Sequence, residues 1–336
     1  PPAHEHVLGQ PVEQRNSVPI TGTTSDSSRL GWWGLPAQPI DQPPSTATPG
    51  RVVRYTPYLP ACHDEGITTF GAAVVPRPGT EPIRHDGGPV GVLLCHGFTG
   101  SPAAMRPWAE HLASNGLTVR LPLLPGHGTE WQQMQITRWT DWYDCLEREL
   151  VDLFQACDRV FVMGLSMGGT LALRLAMERP DLVDGVVIVN ASVHSRNRAL
   201  RALPVLRHLV PAVPGICNDI KKPGQDELAY SRVPLQAMYS LTELWADVAP
   251  RLGEISCPML AFGSDEDHVV EPSNSVEIVQ GVSSHDLTFI PLHDSFHVAT
   301  LDNDAQLIFE QSLAFVERHV PEVSAQEPPT KARADT

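Results

Sequence analysis

Short apolar runs alternate with segments of helical periodicity along most of the chain. Six runs have the length and content of buried strands: residues 90–95, 118–121, 160–163, 185–189, 259–262 and 287–290. Segments with apolar residues every three or four positions follow many of them: residues 102–115, 141–157, 167–179, 272–280 and 303–319. This alternation predicts right-handed crossovers and a mostly parallel sheet with helices on both faces. Two earlier segments, 51–55 and 68–75, would add antiparallel strands at one edge.

The alternation breaks between residues 191 and 251. Helical pieces at 198–210 and 235–248 are divided there by prolines, and the stretch is too long for an ordinary loop. We expect an inserted helical cap over the carboxyl edge of the sheet, where open α/β sheets bind ligands. Its many apolar residues favour a hydrophobic ligand over a polar peptide: Leu203, Val205, Leu206, Leu209, Val210, Val213, Met238, Leu241, Leu244 and Trp245. The core then comprises residues 51–190 and 252–322.

The two ends of the chain show neither kind of periodicity. Residues 1–50 are rich in Pro, Ser, Thr, Gln and Gly and predict an irregular arm, and residues 323–336 predict a disordered tail. Trp32 and Trp33 stand out in the arm, because adjacent tryptophans seldom stay wholly in water. We expect this pair to dock on the main domain or on a partner. The oligomeric state is left open, and a dimer is one option.

Composition narrows the class of protein. The 336 residues carry a formal net charge of −15, which argues against a nucleic-acid partner because phosphate binding needs a basic surface. No apolar run approaches the ~18–20 residues that span a bilayer. The absence of a charged-then-apolar leader favours a cytoplasmic protein, unless a signal peptide has been removed. The six cysteines form no CxxC pair and are expected to be reduced and buried.

No segment predicts a cofactor or a metal ion. His4 and His6 stand close together in the arm but lack a framed third ligand. Neither a GxGxxG nor a P-loop pattern occurs, so a nucleotide cofactor has no visible site.

The sharpest chemical signal is Gly-Leu-Ser-Met-Gly-Gly at residues 164–169, between a predicted strand and a predicted helix. A serine on so tight a turn is held in a sparsely populated backbone conformation. Gly164 and Gly168 flank it because a β-carbon there would collide with the neighbouring strand or helix. The turn would expose the Ser166 hydroxyl beside a helix N-terminus, whose free N–H groups favour developing negative charge. Ser166 is the predicted nucleophile; the alternative is a glycine-rich turn that merely carries a serine.

The sequence His-Gly-Phe-Thr-Gly at residues 96–100 follows the first buried strand and predicts a second functional loop. Acyl transfer needs at least two donors aimed at the tetrahedral oxyanion. The backbone N–H groups of Phe98 and Met167 are the predicted donors, because glycines let this loop fold in close and Met167 follows the nucleophile. We expect His96 to order the loop rather than act as a base. A strand-to-helix turn without a chemical role is the alternative.

A serine nucleophile needs a base, and the base needs an orienting acid, in the chain order Ser, Asp or Glu, His. Three carboxylates follow the strand at 259–262. Asp267 is preferred over Asp265 and Glu266, because the two valines that follow it can anchor its turn. After the last predicted strand, His297 is preferred over His293 as the base, because apolar neighbours can fix its ring.

Five segments together resemble the α/β-hydrolase carboxylesterases related to bacterial monoacylglycerol lipases: HGFTGSP (96–102), PGHG (125–128), GLSMGG (164–169), EDHVV (266–270) and SFHVATLDND (295–304). The resemblance covers some two thirds of the chain. It implies an α/β-hydrolase fold with a Ser166–Asp267–His297 triad. It also implies an oxyanion hole from Phe98 and Met167, an acyl pocket shaped by the cap, and no metal or organic cofactor. An arm like that at the N-terminus is not a usual part of the family.

These features predict a serine hydrolase whose substrate is a small to medium hydrophobic acyl or aryl ester. Hydrolysis of thioesters, amides or C–C bonds, and perhydrolysis, use the same constellation, so the fold alone does not separate them. A non-catalytic domain that binds a ligand or a partner is the remaining alternative.

Overall fold

The computed structural model describes residues 68–69, 72–73 and 75–320, and a seven-stranded sheet forms its centre. The strands are β1 (Thr68–Thr69), β2 (Ala72–Ala73), β3 (Ile83–His85), β4 (Val90–Cys95), β5 (Thr118–Leu121), β6 (Arg159–Leu165), β7 (Gly185–Val189), β8 (Ala212–Pro214), β9 (Arg232–Pro234), β10 (Met259–Ser264) and β11 (Leu287–Leu292). The α-helices are α1 (Arg106–Ser114), α2 (Trp131–Gln135), α3 (Trp139–Ala156), α4 (Met167–Glu178), α5 (Leu203–Leu206), α6 (Leu235–Val248), α7 (Ser273–Gly281) and α8 (Ala305–His319). Short 3₁₀ helices lie at Pro102–Met105, Arg198–Ala202, Ala249–Glu254 and Ala299–Leu301.

The central sheet has the strand order β11-β10-β7-β6-β4-β5-β3, in which every neighbouring pair is parallel except β3 with β5. The prediction of a mostly parallel sheet with helical crossovers is therefore confirmed. Because β6, β10 and β11 run in the same direction, their carboxyl ends meet at one edge of the sheet. The segments that follow these three strands carry the predicted nucleophile, acid and base.

Helices cover both faces of the sheet, and the strands feed a hydrophobic core on each side. Along β4, Leu93 and Cys95 pack with the core formed by α3, α4 and α6, whereas Val92 and Leu94 pack with the core formed by α1 and α8. This alternation within an entirely apolar run is what a strand buried on both faces requires. The two cores hold the sheet rigid beneath its carboxyl edge.

The segment between β7 and β10 contains α5, α6 and the antiparallel pair β8–β9. The predicted helix at 198–210 is shorter in the structure, where α5 ends at Leu206. The β8–β9 pair was not predicted, because three-residue strands that end in Pro214 and Pro234 are too short to show an alternation. Tyr230 ties this segment to the core, since its hydroxyl donates to Gly126 O at 2.8 Å and accepts from Thr129 N at 2.9 Å.

The edge of the sheet differs from the prediction. Residues 68–69 and 72–73 pair with each other as the short hairpin β1–β2 instead of extending the central sheet. The antiparallel edge strand is β3, whose exposed Arg84 and His85 give it no apolar pattern. The predicted strand at 51–55, the arm with Trp32, Trp33, His4 and His6, and the tail at 323–336 lie outside the described residues.

Two further expectations concern the membrane and the cysteines. No helix among the described residues has both the length and the apolar character that crossing a bilayer requires; the cytoplasmic location stays a prediction. The described cysteines are free thiols: Cys95, Cys145, Cys157, Cys217 and Cys257. Burial was wrongly expected for Cys217, which is exposed in the segment between β7 and β10.

Candidate active site

The turn between β6 and α4 holds Ser166 in a strained backbone conformation. Its φ of 56° and ψ of −123° lie in a region that non-glycine residues rarely occupy. A hydrogen bond from Ser166 N to Val189 O, at 2.9 Å, fixes the turn against β7. A β-carbon on Gly164 would stand 2.3 Å from the backbone of Gly168, so the turn closes only because glycine occupies both positions. The structure thus places Ser166 where the sequence motif predicted it.

The loop that carries Asp267 meets the loop that carries His297, and His297 lines the same cavity as Ser166. The His297 ring donates through Nδ1 to Asp267 Oδ2 at 2.8 Å, and the two side chains are only 9% and 2% exposed. The other carboxylate oxygen of Asp267 accepts from Val269 N and Val270 N at 2.8 and 2.7 Å. These two bonds leave Asp267 little freedom, so the ring of His297 has a fixed partner and a defined tautomer.

Ser166 and His297 line the same cavity. Within the described part of the chain, no hydrogen bond joins the serine hydroxyl to the imidazole ring. Such bonds are often long before a substrate binds and tighten in the complex. The cavity wall therefore carries the hydroxyl of Ser166 and the imidazole of His297, whose orientation is fixed by the Asp267 carboxylate.

The pKa of His297 is raised above its ordinary value by competing influences. Burial alone would lower it, because an apolar environment disfavours the charged ring. The charge of the Asp267 carboxylate and its hydrogen bond, together with the charges of Glu227 and Asp219, outweigh burial and raise the pKa. A raised pKa makes His297 a stronger base towards the serine proton.

The loop after β4 approaches Ser166 closely. A β-carbon on Gly97 would lie 3.4 Å from the Ser166 β-carbon, so the loop packs directly on the turn that carries Ser166. Phe98 lines the cavity, and its ring meets Trp142 edge-on at a centroid distance of 5.9 Å. Met167 begins α4, with its side chain fully buried. The two residues whose backbone N–H groups were predicted as oxyanion donors therefore lie near Ser166: Met167 follows it in the chain, and Phe98 follows Gly97 and lines the same cavity.

His96 orders the same loop. The ring is fully buried, with Nδ1 bonded to Gly97 O at 3.0 Å and Nε2 accepting from Leu124 N at 3.2 Å. Burial lowers the pKa of His96 to about 4, so the ring is neutral at physiological pH. With both nitrogens engaged, His96 is unsuited to act as a base, in keeping with the sequence interpretation.

The rejected alternatives lie at the surface. His293 Nδ1 and Asp265 Oδ2 pair with each other at 2.6 Å, and the two side chains are 72% and 59% exposed. Glu266 forms an ion pair with Lys221, with 3.3 Å between Oε2 and Nζ. Neither carboxylate nor His293 lines the cavity that Ser166 occupies.

The cavity has a volume of about 400 Å³ and a largely apolar wall. The segment between β7 and β10 supplies much of that wall: Leu200, Leu203, Leu206, Val213, Ile216, Val233, Leu235, Met238, Leu241 and Trp245. Four of the apolar residues that the sequence marked in this segment do not line the cavity: Val205 and Leu209 are exposed, Val210 is half-buried, and Leu244 is buried in the core.

Comparison with known proteins identifies the family. The model of the family described as "Serine aminopeptidase, S33" matches residues 90–304, which is more than half of the chain. The chain belongs to this family.

The relatives of this S33-family chain include lipases and esterases. It is 45% identical over 241 residues to a thermostable monoacylglycerol lipase of Bacillus sp. (strain H-257), covering 72% of this chain and 96% of the relative. It is 27% identical over 245 residues to a carboxylesterase of Bacillus subtilis (strain 168), covering 71% of this chain and 96% of the relative. The predicted enzyme class is confirmed: the chain is a serine hydrolase of carboxylic esters.

A solved structure supports the α/β-hydrolase fold. The structure titled "LipS and LipT, two metagenome-derived lipolytic enzymes increase the diversity of known lipase and esterase families" is 41% identical, with a TM-score of 0.70. The match covers 72% of this chain and 99% of the solved one. The predicted fold class is confirmed.

Two carboxylates of the S33-family chain were not predicted to line the cavity. Glu227 and Asp219 both belong to the segment between β7 and β10 and lie on the cavity wall. Glu227 Oε1 accepts from Asn218 N at 2.7 Å, and burial raises the pKa of Glu227. These residues sit in irregular backbone with no apolar period, so no sequence signal marked them.

Proposed function

We propose that this chain hydrolyses carboxylic esters of medium-length apolar acyl groups, monoacylglycerols foremost, through an acyl-enzyme on Ser166. The observation that carries the proposal is that Ser166 and the Asp267-paired His297 line one largely apolar cavity. The 45% identity to a monoacylglycerol lipase supports the same substrate class.

The proposed reaction has two half-reactions. In the first, Ser166 Oγ attacks the ester carbonyl while His297 takes its proton and then delivers a proton to the leaving alcohol. Asp267 holds the imidazole tautomer and stabilises its positive form. In the second, a water molecule activated by the same base attacks the acyl-enzyme and releases the carboxylic acid.

The backbone N–H groups of Phe98 and Met167 are the proposed oxyanion donors. Met167 N lies at the first turn of α4, where backbone N–H groups have no helical acceptor. The N–H of Phe98 has no backbone acceptor among the described residues. Two free donors beside Ser166 would stabilise the tetrahedral intermediate, and losing one such donor typically costs ~10²–10³ in rate.

The cavity supports an apolar acyl group and a polar alcohol. Its volume falls at the lower end of the ~300–1,000 Å³ of small-molecule sites, and the wall formed by α6 is aliphatic and aromatic. Glu227 is one of the polar residues of the wall, and no described residue donates a hydrogen bond to its Oε2. A carboxylate with a free oxygen so near His297 suits a hydroxyl-bearing leaving group such as glycerol.

Amide hydrolysis is a second candidate. The family description names a serine aminopeptidase, and the Glu227 carboxylate could bind the ammonium group of an amino-terminal substrate. The apolar wall favours the ester. Comparing kcat/KM on monoacylglycerols with kcat/KM on aminoacyl nitroanilides separates the two, and a higher value on the anilides would replace the proposal.

Replacement of the nucleophile tests the proposal directly. We expect Ser166→Ala to lower kcat on monoacylglycerols and p-nitrophenyl butyrate by a factor on the order of 10⁴ or more, because the acyl-enzyme cannot form. Labelling by a fluorophosphonate probe should be lost as well. Ser284→Ala, which alters a half-buried serine outside the cavity, is the control and should retain both. Full activity in Ser166→Ala would refute the mechanism.

A further inference from the structure

Asp219, in the segment between β7 and β10, binds the backbone of both catalytic loops. Its Oδ2 accepts from His297 N at 3.1 Å and from His268 N at 3.2 Å. Its Oδ1 accepts from the His268 ring at 2.8 Å, and its backbone oxygen accepts from Val298 N at 3.1 Å. One residue outside the triad therefore holds the base itself and the residue that follows Asp267.

The contact is reciprocal, because a core carboxylate binds the segment that carries Asp219. Asp302, which is 1% exposed, accepts from Lys221 N at 2.7 Å and Lys222 N at 2.8 Å. The same carboxylate accepts from Phe296 N at 2.9 Å, next to the base. We call Asp219 and Asp302 the carboxylate clasp. It joins residues 218–222 to the loop that carries His297 in two ways: Asp219 accepts from that loop, and Asp302 accepts from residues 221 and 222.

The hydrogen bonds of Asp219 are confined to the two loops of the proposed triad, which indicates a role beyond stabilising the fold. Its side chain is only 10% exposed, and all its described bonds go to groups within one residue of Asp267 or His297. A buried carboxylate that accepts from backbone N–H groups fixes those groups in place. The base must hold its position closely, since a shift of about 1 Å can cost ~10²-fold in rate.

We propose that Asp219 is a positioning residue that holds His297 at the right position relative to Ser166. It thereby links the cavity wall to the triad. The proposal rests on the proposed function, because it assigns His297 the part of the base. It gives residues 218–222 a part in turnover as well as in shaping the cavity.

The charge of Asp219 also acts on the base. The carboxylates that face His297 are Asp267 from the loop after β10, and Asp219 and Glu227 from the segment between β7 and β10; all three raise its pKa. His268 lies against Asp219 from the acid loop. Because the base must be neutral to accept a proton, a lower pKa of His297 extends activity to lower pH.

Two variants separate position from charge. Asp219→Asn keeps an oxygen that can accept from both backbone N–H groups, so kcat above the acidic limb should stay within about threefold of the wild type. Its acidic limb of kcat/KM should move to lower pH, because one carboxylate facing His297 is gone. Asp219→Ala removes the acceptor, and kcat should fall about 10- to 100-fold with KM changed less than about threefold.

Activity is expressed per active site titrated with a fluorophosphonate, so that misfolded protein does not count. Asp286→Ala is the control, because Asp286 also pairs with a histidine, His319. Asp286 directly precedes β11, at the opposite end of that strand from the loop that carries His297. The kcat and the pH profile of this variant should match those of the wild type. The proposal is overturned if Asp219→Ala keeps kcat within about twofold, or if the limb of Asp219→Asn stays at the wild-type pH. An inactive, unlabelled wild type would instead refute the proposed function.

Discussion

Gly168 lies so close to the end of β4 that a β-carbon on it would stand 2.0 Å from the carbonyl oxygen of Cys95. No side-chain atom approaches a carbonyl at that distance, so any other residue would force α4 away from the sheet. This contact brings the start of α4 and the loop after β4 together at Ser166. The turn that carries Ser166 and the loop proposed to hold the oxyanion therefore both depend on the absence of a side chain at Gly168.

We expect Gly168→Ala to destabilise the protein by more than about 4 kcal/mol, because strand and helix must separate to admit the side chain. Chemical unfolding and recovery of soluble protein measure the effect. Gly253→Ala is the matched control, since its β-carbon would meet nothing closer than 3.7 Å and its φ is not positive; its stability should change by less than about 1 kcal/mol. Equal stability of the two variants would contradict the packing argument.

The elements that the sequence predicted well are those with long, consistent patterns. The run at 90–95 and the helix at 303–319 appear in the structure within two residues of their expected bounds, because each buries a continuous apolar face. The strands β3, β8 and β9 were missed. Each has three residues, and such short strands form through pairing with a neighbour that local sequence does not encode.

Helix α6 presents residues to the cavity at helical spacing, which makes it a candidate determinant of acyl length. Leu235, Met238, Leu241 and Trp245 lie three or four positions apart and all line the cavity. Trp245 is fixed by a hydrogen bond from its ring nitrogen to Ser192 Oγ at 3.1 Å. The helix also packs on α3 and α4, so the cavity wall is backed by the core.

Substituting a larger side chain on this wall should shorten the preferred acyl chain. We expect Met238→Trp to lower kcat/KM for long-chain monoacylglycerols about tenfold or more while short-chain esters keep most of theirs, because added volume fills the cavity. Glu243→Trp introduces the same side chain at an exposed position of α6 and should leave the chain-length profile unchanged. An unaltered profile in Met238→Trp would place the acyl group elsewhere.

In the molecule as a whole, the location of the proposed triad residues was predictable and that of their surroundings was not. Ser166, Asp267 and His297 could be proposed from the sequence because each follows a strand whose end must lie at one edge of a parallel sheet. Asp219 and Glu227 come from the segment between β7 and β10. Their positions depend on how that segment folds over the sheet, and this is decided by distant contacts rather than by local pattern.

Tyr230 is one of those distant contacts, and its hydroxyl should contribute measurably to global stability. We expect Tyr230→Phe to reduce the free energy of unfolding by about 1–3 kcal/mol, because Gly126 O and Thr129 N lose a buried partner. Denaturant titration measures the change. Tyr239→Phe is the control, since no described residue hydrogen-bonds the Tyr239 hydroxyl; it should unfold like the wild type. A Tyr230→Phe protein as stable as this control would show that the bonds add nothing.

The carboxylate clasp has a consequence for protein engineering. A chimera that receives the cavity wall of another esterase, in order to change selectivity, would also lose Asp219 and the segment that donates two backbone N–H groups to Asp302. Such a graft exchanges part of the support of His297, the proposed general base, together with the pocket. Chimeric enzymes should therefore keep residues 218–222 of the host, with the exchange boundaries drawn on either side of them.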